Sequence, residues 1–115
     1  MKKNILYLKH ILDSIERIEE YIRGVDYEDF MESSLIQAAT IREIEIIGEA
    51  TKNLDVKFRE KYNTLPLRKM SGMGDKLIHD YFGVDLDAVW DTVTIDLPPL
   101  KDKIISILEE IELLS

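Results

Sequence analysis

The sequence contains no cysteine, which excludes disulfides, thiolate nucleophiles and cysteine-ligated metals. Its two histidines, His10 and His79, stand far apart, so a histidine-rich metal centre within one chain is not expected. Glycine (5) and proline (3) are scarce, and each therefore serves as punctuation between elements. No run approaches the roughly 20 apolar residues that span a bilayer. Charge at Lys9 breaks the apolar stretch that follows Lys2 and Lys3, so the N-terminus does not read as a signal peptide. The expectation is a cytoplasmic chain with no membrane segment. Positive charge is also short: 15 Lys and Arg face 23 Asp and Glu, a net charge of −8. An acidic surface repels phosphates, so any nucleic-acid binding must be local.

What is present is an ordinary globular composition of 115 residues, 45% hydrophobic and 33% charged, expected to form one domain over residues 1–115. Ile5, Leu8, Leu12, Ile15, Ile18 and Ile22 step by three or four, one stripe of a first helix that ends at Gly24. A second helix is predicted from Tyr27 or Glu28, capped by Asp26, its most regular part running over residues 35–54. Residues 55–63 read as one or two further turns. Pro66 marks a loop, a short helix begins near Leu67, and residues 72–82 form another short piece stopped by Gly83. Asp85 caps the last long segment. Pro98 and Pro99 predict a break near Asp96 and a restart, after which Leu100, Ile104, Ile107, Ile111 and Leu114 continue a narrow stripe. No strand alternation and no repeat is evident. The predicted class is all-α, an up-and-down bundle of four main helices with short helical inserts. Apolar residues outside the stripes, including Leu6, Tyr7, Ile46 and Ile105, suit a homodimer surface.

Chemistry is densest around His79, with Arg68, Lys69, Asp75, Lys76, Asp80 and Tyr81 nearby. Asp75 and His79 are four apart and share a helix face. At a helix C-terminus an imidazolium is favoured, and a histidine titrating near neutrality can act as general acid or base. The alternative is that His79 caps a helix end and packs on an aromatic ring. Tyr81 is either a hydrogen-bonded buried tyrosine or a neighbour of His79 where the helix loosens. His10 reads as structural. Glu45 and Glu49 have a spacing that supports metal ligation, or they form a solvated face paired with Arg42. Glycines 72, 74 and 83 follow no strand and make no phosphate loop.

The stretch LRKMSGMGDKLIHDYFGVDLDAVWDTVTIDLPPL over residues 67–100, with IREIEIIGEATKNL over residues 41–54, resembles HepT-like proteins of the HEPN superfamily. The resemblance implies a dimeric helical bundle that serves as the toxin of a HEPN/MNT toxin–antitoxin module, partnered with a minimal nucleotidyltransferase antitoxin. It further implies metal-independent endoribonuclease action on RNA through an Arg-x4-His-x-Tyr motif shared across the dimer, with no cofactor. On this chain the motif histidine is His79, and the motif tyrosine, acceptor of AMP from the antitoxin, is Tyr81. The arginine position is occupied by Gly74, which supplies no cation. Asp75, Lys76, Asp80 and Arg68 are the nearby residues that could support the site. With Gly74 in the motif, weak or lost cleavage is expected. A non-catalytic HEPN scaffold that binds a nucleotidyltransferase or a nucleotide is the competing expectation.

Overall fold

A computed structural model describes residues 1–79 and 83–114, without the side chains of residues 73, 74, 76–79 and 114. Seven α-helices follow in chain order among the described residues: α1 (Lys2–Tyr21), α2 (Tyr27–Glu32), α3 (Ser34–Lys52), α4 (Val56–Lys61), α5 (Leu67–His79), α6 (Leu86–Asp91) and α7 (Leu97–Leu114). A π-helical turn, Thr92–Asp96, joins α6 to α7. The class is all-α, as the periodicity predicted. Among the described residues no helix is long and apolar enough to cross a membrane.

Helix α1 buries Leu8, Ile11, Ile15 and Ile18, while Leu12 and Ile22 of the predicted stripe are only half-buried. Gly24 then turns the chain at φ +72°, a conformation glycine adopts without the steric cost of a Cβ. The central element is α3, which packs against α1 on one side and α5 on the other; α7 lies along α1. Phe30, Ile44, Ile47, Phe58, Met70, Val93, Leu97 and Ile104 complete the core between them. At about 25 cal/mol per Å² of apolar area, this shared burial is what holds the short helices in place.

A polar tie joins the two ends of the first half of the chain. Asn4, 2% exposed, donates to Asp55 Oδ2 at 3.0 Å and accepts the Asp55 backbone N–H at 3.1 Å. Asp55 also caps α4, accepting from the Phe58 N–H at 2.8 Å. That backbone donor, and then the Asn4 amide, hold its carboxyl below the ordinary carboxylate range.

Three predicted boundaries are corrected. The helix read as continuous from Tyr27 is divided: Asp26 caps α2 in a capping box, then Ser33 leaves helical geometry and caps α3 through the Ile36 N–H at 3.1 Å. A serine hydroxyl competes for backbone donors, and here it wins over the apolar period. Conversely, the two short pieces read after Pro66 are one helix, α5, continuous from Leu67 to His79 and running through Gly72, because buried Leu67 and Met70 anchor it; the predicted end over residues 80–82 lies outside the described residues. The proline pair makes no break. The backbone stays helical through Asp91 and Leu97 and widens into the π turn, with the Thr92 and Thr94 hydroxyls donating to the Ala88 and Trp90 carbonyls. Asp85 caps α6 as expected, accepting from Ala88 at 3.1 Å.

Candidate functional site

Helix α5 carries Arg68, Lys69, Gly74, Asp75, Lys76 and His79 of the residues that the sequence singled out. Its start is fixed by Leu67 and Met70 against the core and by Lys69, whose ammonium lies 3.1 Å from Asp96 Oδ2 at the π turn. Its middle is fixed by Asp75, which pairs with Lys52 Nζ in the last turn of α3; Lys52 also reaches Glu49 at 3.3 Å. The hydrogen bond to Asp75, followed by that to Glu49, raises the Lys52 pKa. Its last described residue is His79. Asp80 and Tyr81 lie outside the described residues, as do the side chains of Lys76 and His79, and Gly74 is an interior position of α5.

Positions 68, 72, 75 and 79 recur at intervals of four, three and four, one stripe of α5. Arg68 and His79 are nonetheless eleven residues apart, about 16 Å along the axis at 1.5 Å per residue. Within one chain, neither Arg68 nor Lys69 stands where the motif arginine would be.

Arg68 and Lys69 instead line a cleft of about 590 Å³ with Arg59, Asn63, Leu65, Pro66 and Leu67. Arg59 is one of the residues that sequence reading missed. Its Nε donates to the Leu54 carbonyl at 3.0 Å and its Nη2 to the Thr51 carbonyl at 2.7 Å, satisfying the C-terminal end of α3. The only signal in the sequence was a basic run around α4, Lys57, Arg59 and Lys61.

The other candidates are brought together without making a reactive cluster. His10, Tyr7, Arg42, Glu45, Ile46, Glu49 and Asn53 line a groove of about 320 Å³ between α1 and α3. The His10 ring meets Tyr7 edge-on at 6.3 Å, Glu45 pairs with Arg42 at 3.6 Å, and Glu49 pairs with Lys52. Among the described residues no three His, Asp or Glu side chains could hold a metal ion. Glu43, 7% exposed, was not foreseen. It receives Arg17 at 3.1 Å and the Tyr21 hydroxyl at 3.3 Å, so α1 and α3 share a satisfied carboxylate. Burial and then the Glu43 charge raise the Tyr21 pKa.

Residues 11–107 match the family model described as ribonuclease HepT-like. The chain is 42% identical over 110 residues to a candidate RNase of Caldanaerobacter subterraneus, covering 96% of this chain and 98% of that one. It is 48% identical over 97 residues to the probable ribonuclease HepT of Thermococcus cleftensis, covering 84% and 88%. A Methanocaldococcus jannaschii protein named as a gamma-glutamylcyclotransferase and candidate RNase is 51% identical over 113 residues, 97% of this chain, which spans about half (51%) of that relative's length. No solved structure gives a significant match.

Proposed function

The chain belongs to the HepT-like family, and we propose that it is a HepT-type endoribonuclease, the toxin component of a HEPN/MNT toxin–antitoxin module, in which Gly74 slows cleavage. The reading rests on one observation: the family match spans residues 11–107 and includes the His79-Asp80-Tyr81 sequence. The working form would be a homodimer of four-helix bundles, two copies of His79 facing one cleft, with a nucleotidyltransferase antitoxin as partner.

The chemistry asks little beyond these groups. A ribose 2′-hydroxyl attacks the adjacent phosphorus, and its proton passes to one neutral His79 imidazole. The bond from phosphorus to the 5′-oxygen breaks, and that oxygen takes a proton from the imidazolium of the partner's His79. A 2′,3′-cyclic phosphate and a free 5′-hydroxyl result, with no metal in the balance. The missing element is a cation for the charge that develops on the phosphoryl oxygens. Inactivation would follow transfer of AMP to the Tyr81 hydroxyl, which attacks the α-phosphorus of ATP as diphosphate leaves. The adduct would place negative charge two residues from His79 and repel RNA.

Gly74 favours a second reading, a non-catalytic HEPN scaffold for a nucleotidyltransferase or nucleotide. Incubating purified chain with labelled RNA in excess chelator separates the two. Slow cleavage lost in His79→Ala fits the ribonuclease; no cleavage by either protein leaves the scaffold.

A further inference from the structure

An acidic chain that handles RNA needs somewhere for phosphates to rest, and the described surface offers one concentrated cationic recess. The cleft at the start of α5 is lined by Arg59, Arg68 and Lys69 and by no carboxylate, on a protein whose net charge is −8. The three cations differ in state. Arg59 is half-buried and held by two carbonyls through Nε and Nη2, so its position is set before any ligand arrives and its Nη1 edge has no partner among the described residues. Arg68 is exposed and has no ion pair among the described residues. Lys69 is half neutralised by Asp96 at 3.1 Å. Asn63 adds an amide that can donate to oxygen, and Leu65, Pro66 and Leu67 supply an apolar floor.

We propose that this cleft binds the sugar–phosphate backbone of single-stranded RNA, about 16 Å along α5 from His79, as an anchoring site separate from the point of cleavage. Four features favour RNA: cationic lining, a rigid guanidinium, an apolar floor and a helix that leads from the cleft to His79. A strand held at Arg68 continues along the stripe of positions 68, 72, 75 and 79. At its midpoint the Lys52 ammonium is shared by Asp75 and Glu49, which offsets part of the repulsion that the two carboxylates would exert on a phosphate. The anchor also supplies the positive charge that Gly74 withholds, although at a distance where it serves binding and not the transition state. This proposal rests on the ribonuclease reading for its choice of ligand.

The test measures binding apart from cleavage. Fluorescence anisotropy with a 12-nucleotide single-stranded RNA is read across a salt series, using His79→Ala as the background so that the probe stays intact. Adding Arg68→Ala should weaken binding about tenfold, the scale of a lost charge-assisted hydrogen bond. Adding Arg68→Ala with Lys69→Ala should also lower the slope of log affinity against log salt by about 1.4, or about 0.7 per phosphate contact on a single strand. Both side chains are exposed, and circular dichroism melting checks that the fold persists. Affinity and slope unchanged by either variant overturn the anchor and leave the cleft to a protein partner. No RNA binding by the His79→Ala background overturns it as well. Failure of the unaltered chain to cleave, with charge-dependent binding intact, counts against the ribonuclease reading and leaves the anchor standing.

Discussion

Lys52 in the last turn of α3 grips Asp75 in α5, and Asp75 lies one helical turn before His79. A carboxylate four residues from a histidine on one helix stabilises the imidazolium, and a lysine already bound to that carboxylate weakens the effect. Lys52→Met should therefore raise the His79 pKa, moving the histidine limb of the cleavage pH profile or its NMR titration to higher pH. Adding Asp75→Asn should bring it back down. If neither variant moves the titration, the two helices do not communicate with His79 through this pair.

At position 74 the expected change is in rate. Gly74→Arg restores the guanidinium of the motif and should accelerate RNA cleavage by about a hundredfold or more, the usual value of one well-placed donor to a charged transition state. The acceleration should vanish in Gly74→Arg with His79→Ala. Single-turnover cleavage in chelator reads both.

Asn4 and Asp55 bear on stability. Asn4→Ala leaves the Asp55 N–H without its buried acceptor and should cost about 1–3 kcal/mol in urea unfolding. Because Asp55 is held below its ordinary carboxylate value when folded, its contribution is complete above the unfolded pKa of about 3.9 and is lost as pH falls through the folded value. Thermal melts of Asp55→Ala should therefore lie below those of the unaltered chain at pH 7 and converge on them in acid. A constant gap would show that the carboxylate's ionisation contributes nothing.

Tyr62 packs its ring on Phe58 at 4.8 Å, yet its buried hydroxyl has no hydrogen-bond partner among the described residues. Removing that oxygen removes a desolvated polar atom and keeps the ring. Tyr62→Phe should be neutral or slightly stabilising in thermal melts, whereas Tyr62→Ala should cost about 3–5 kcal/mol, as for a buried aromatic.

The parts of the fold that were legible are those in which one local signal speaks alone. Asp26 and Asp85 announce helix starts because a carboxylate at the N-cap has a single job, and the stripe from Leu100 to Ile111 is uninterrupted. Ser33 was hidden because apolar residues keep helical spacing on both sides of it. Gly72 misled in the other direction: its low helix propensity suggested a boundary, but Leu67 and Met70 are anchored by contacts distant in sequence. The candidate site divides similarly. His79 and Tyr81 were named from a contiguous motif, while Lys52 is 23 residues from Asp75, and Arg59 on α4 lines the same cleft as Arg68 on α5. Pairings of that kind carry no periodic trace.

The π turn at Thr92–Asp96 amounts to about one surplus residue wound into an otherwise continuous helix. It acts as a phase shifter. Val89, Val93 and Leu97 are buried at intervals of four, and beyond the turn Leu100 and Ile104 resume the intervals of three and four. Deleting the surplus residue would leave the phase of α7 unchanged, whereas rewinding the same residues as ordinary α-helix, with none removed, would rotate all of α7 by about 100°. Leu97, Leu100 and Ile104 would swing away from the core, and Lys101 would leave Glu19, now 2.8 Å away. The orientation of the eighteen residues of α7 is thus set upstream of them, by how the chain is wound at the turn before its two prolines.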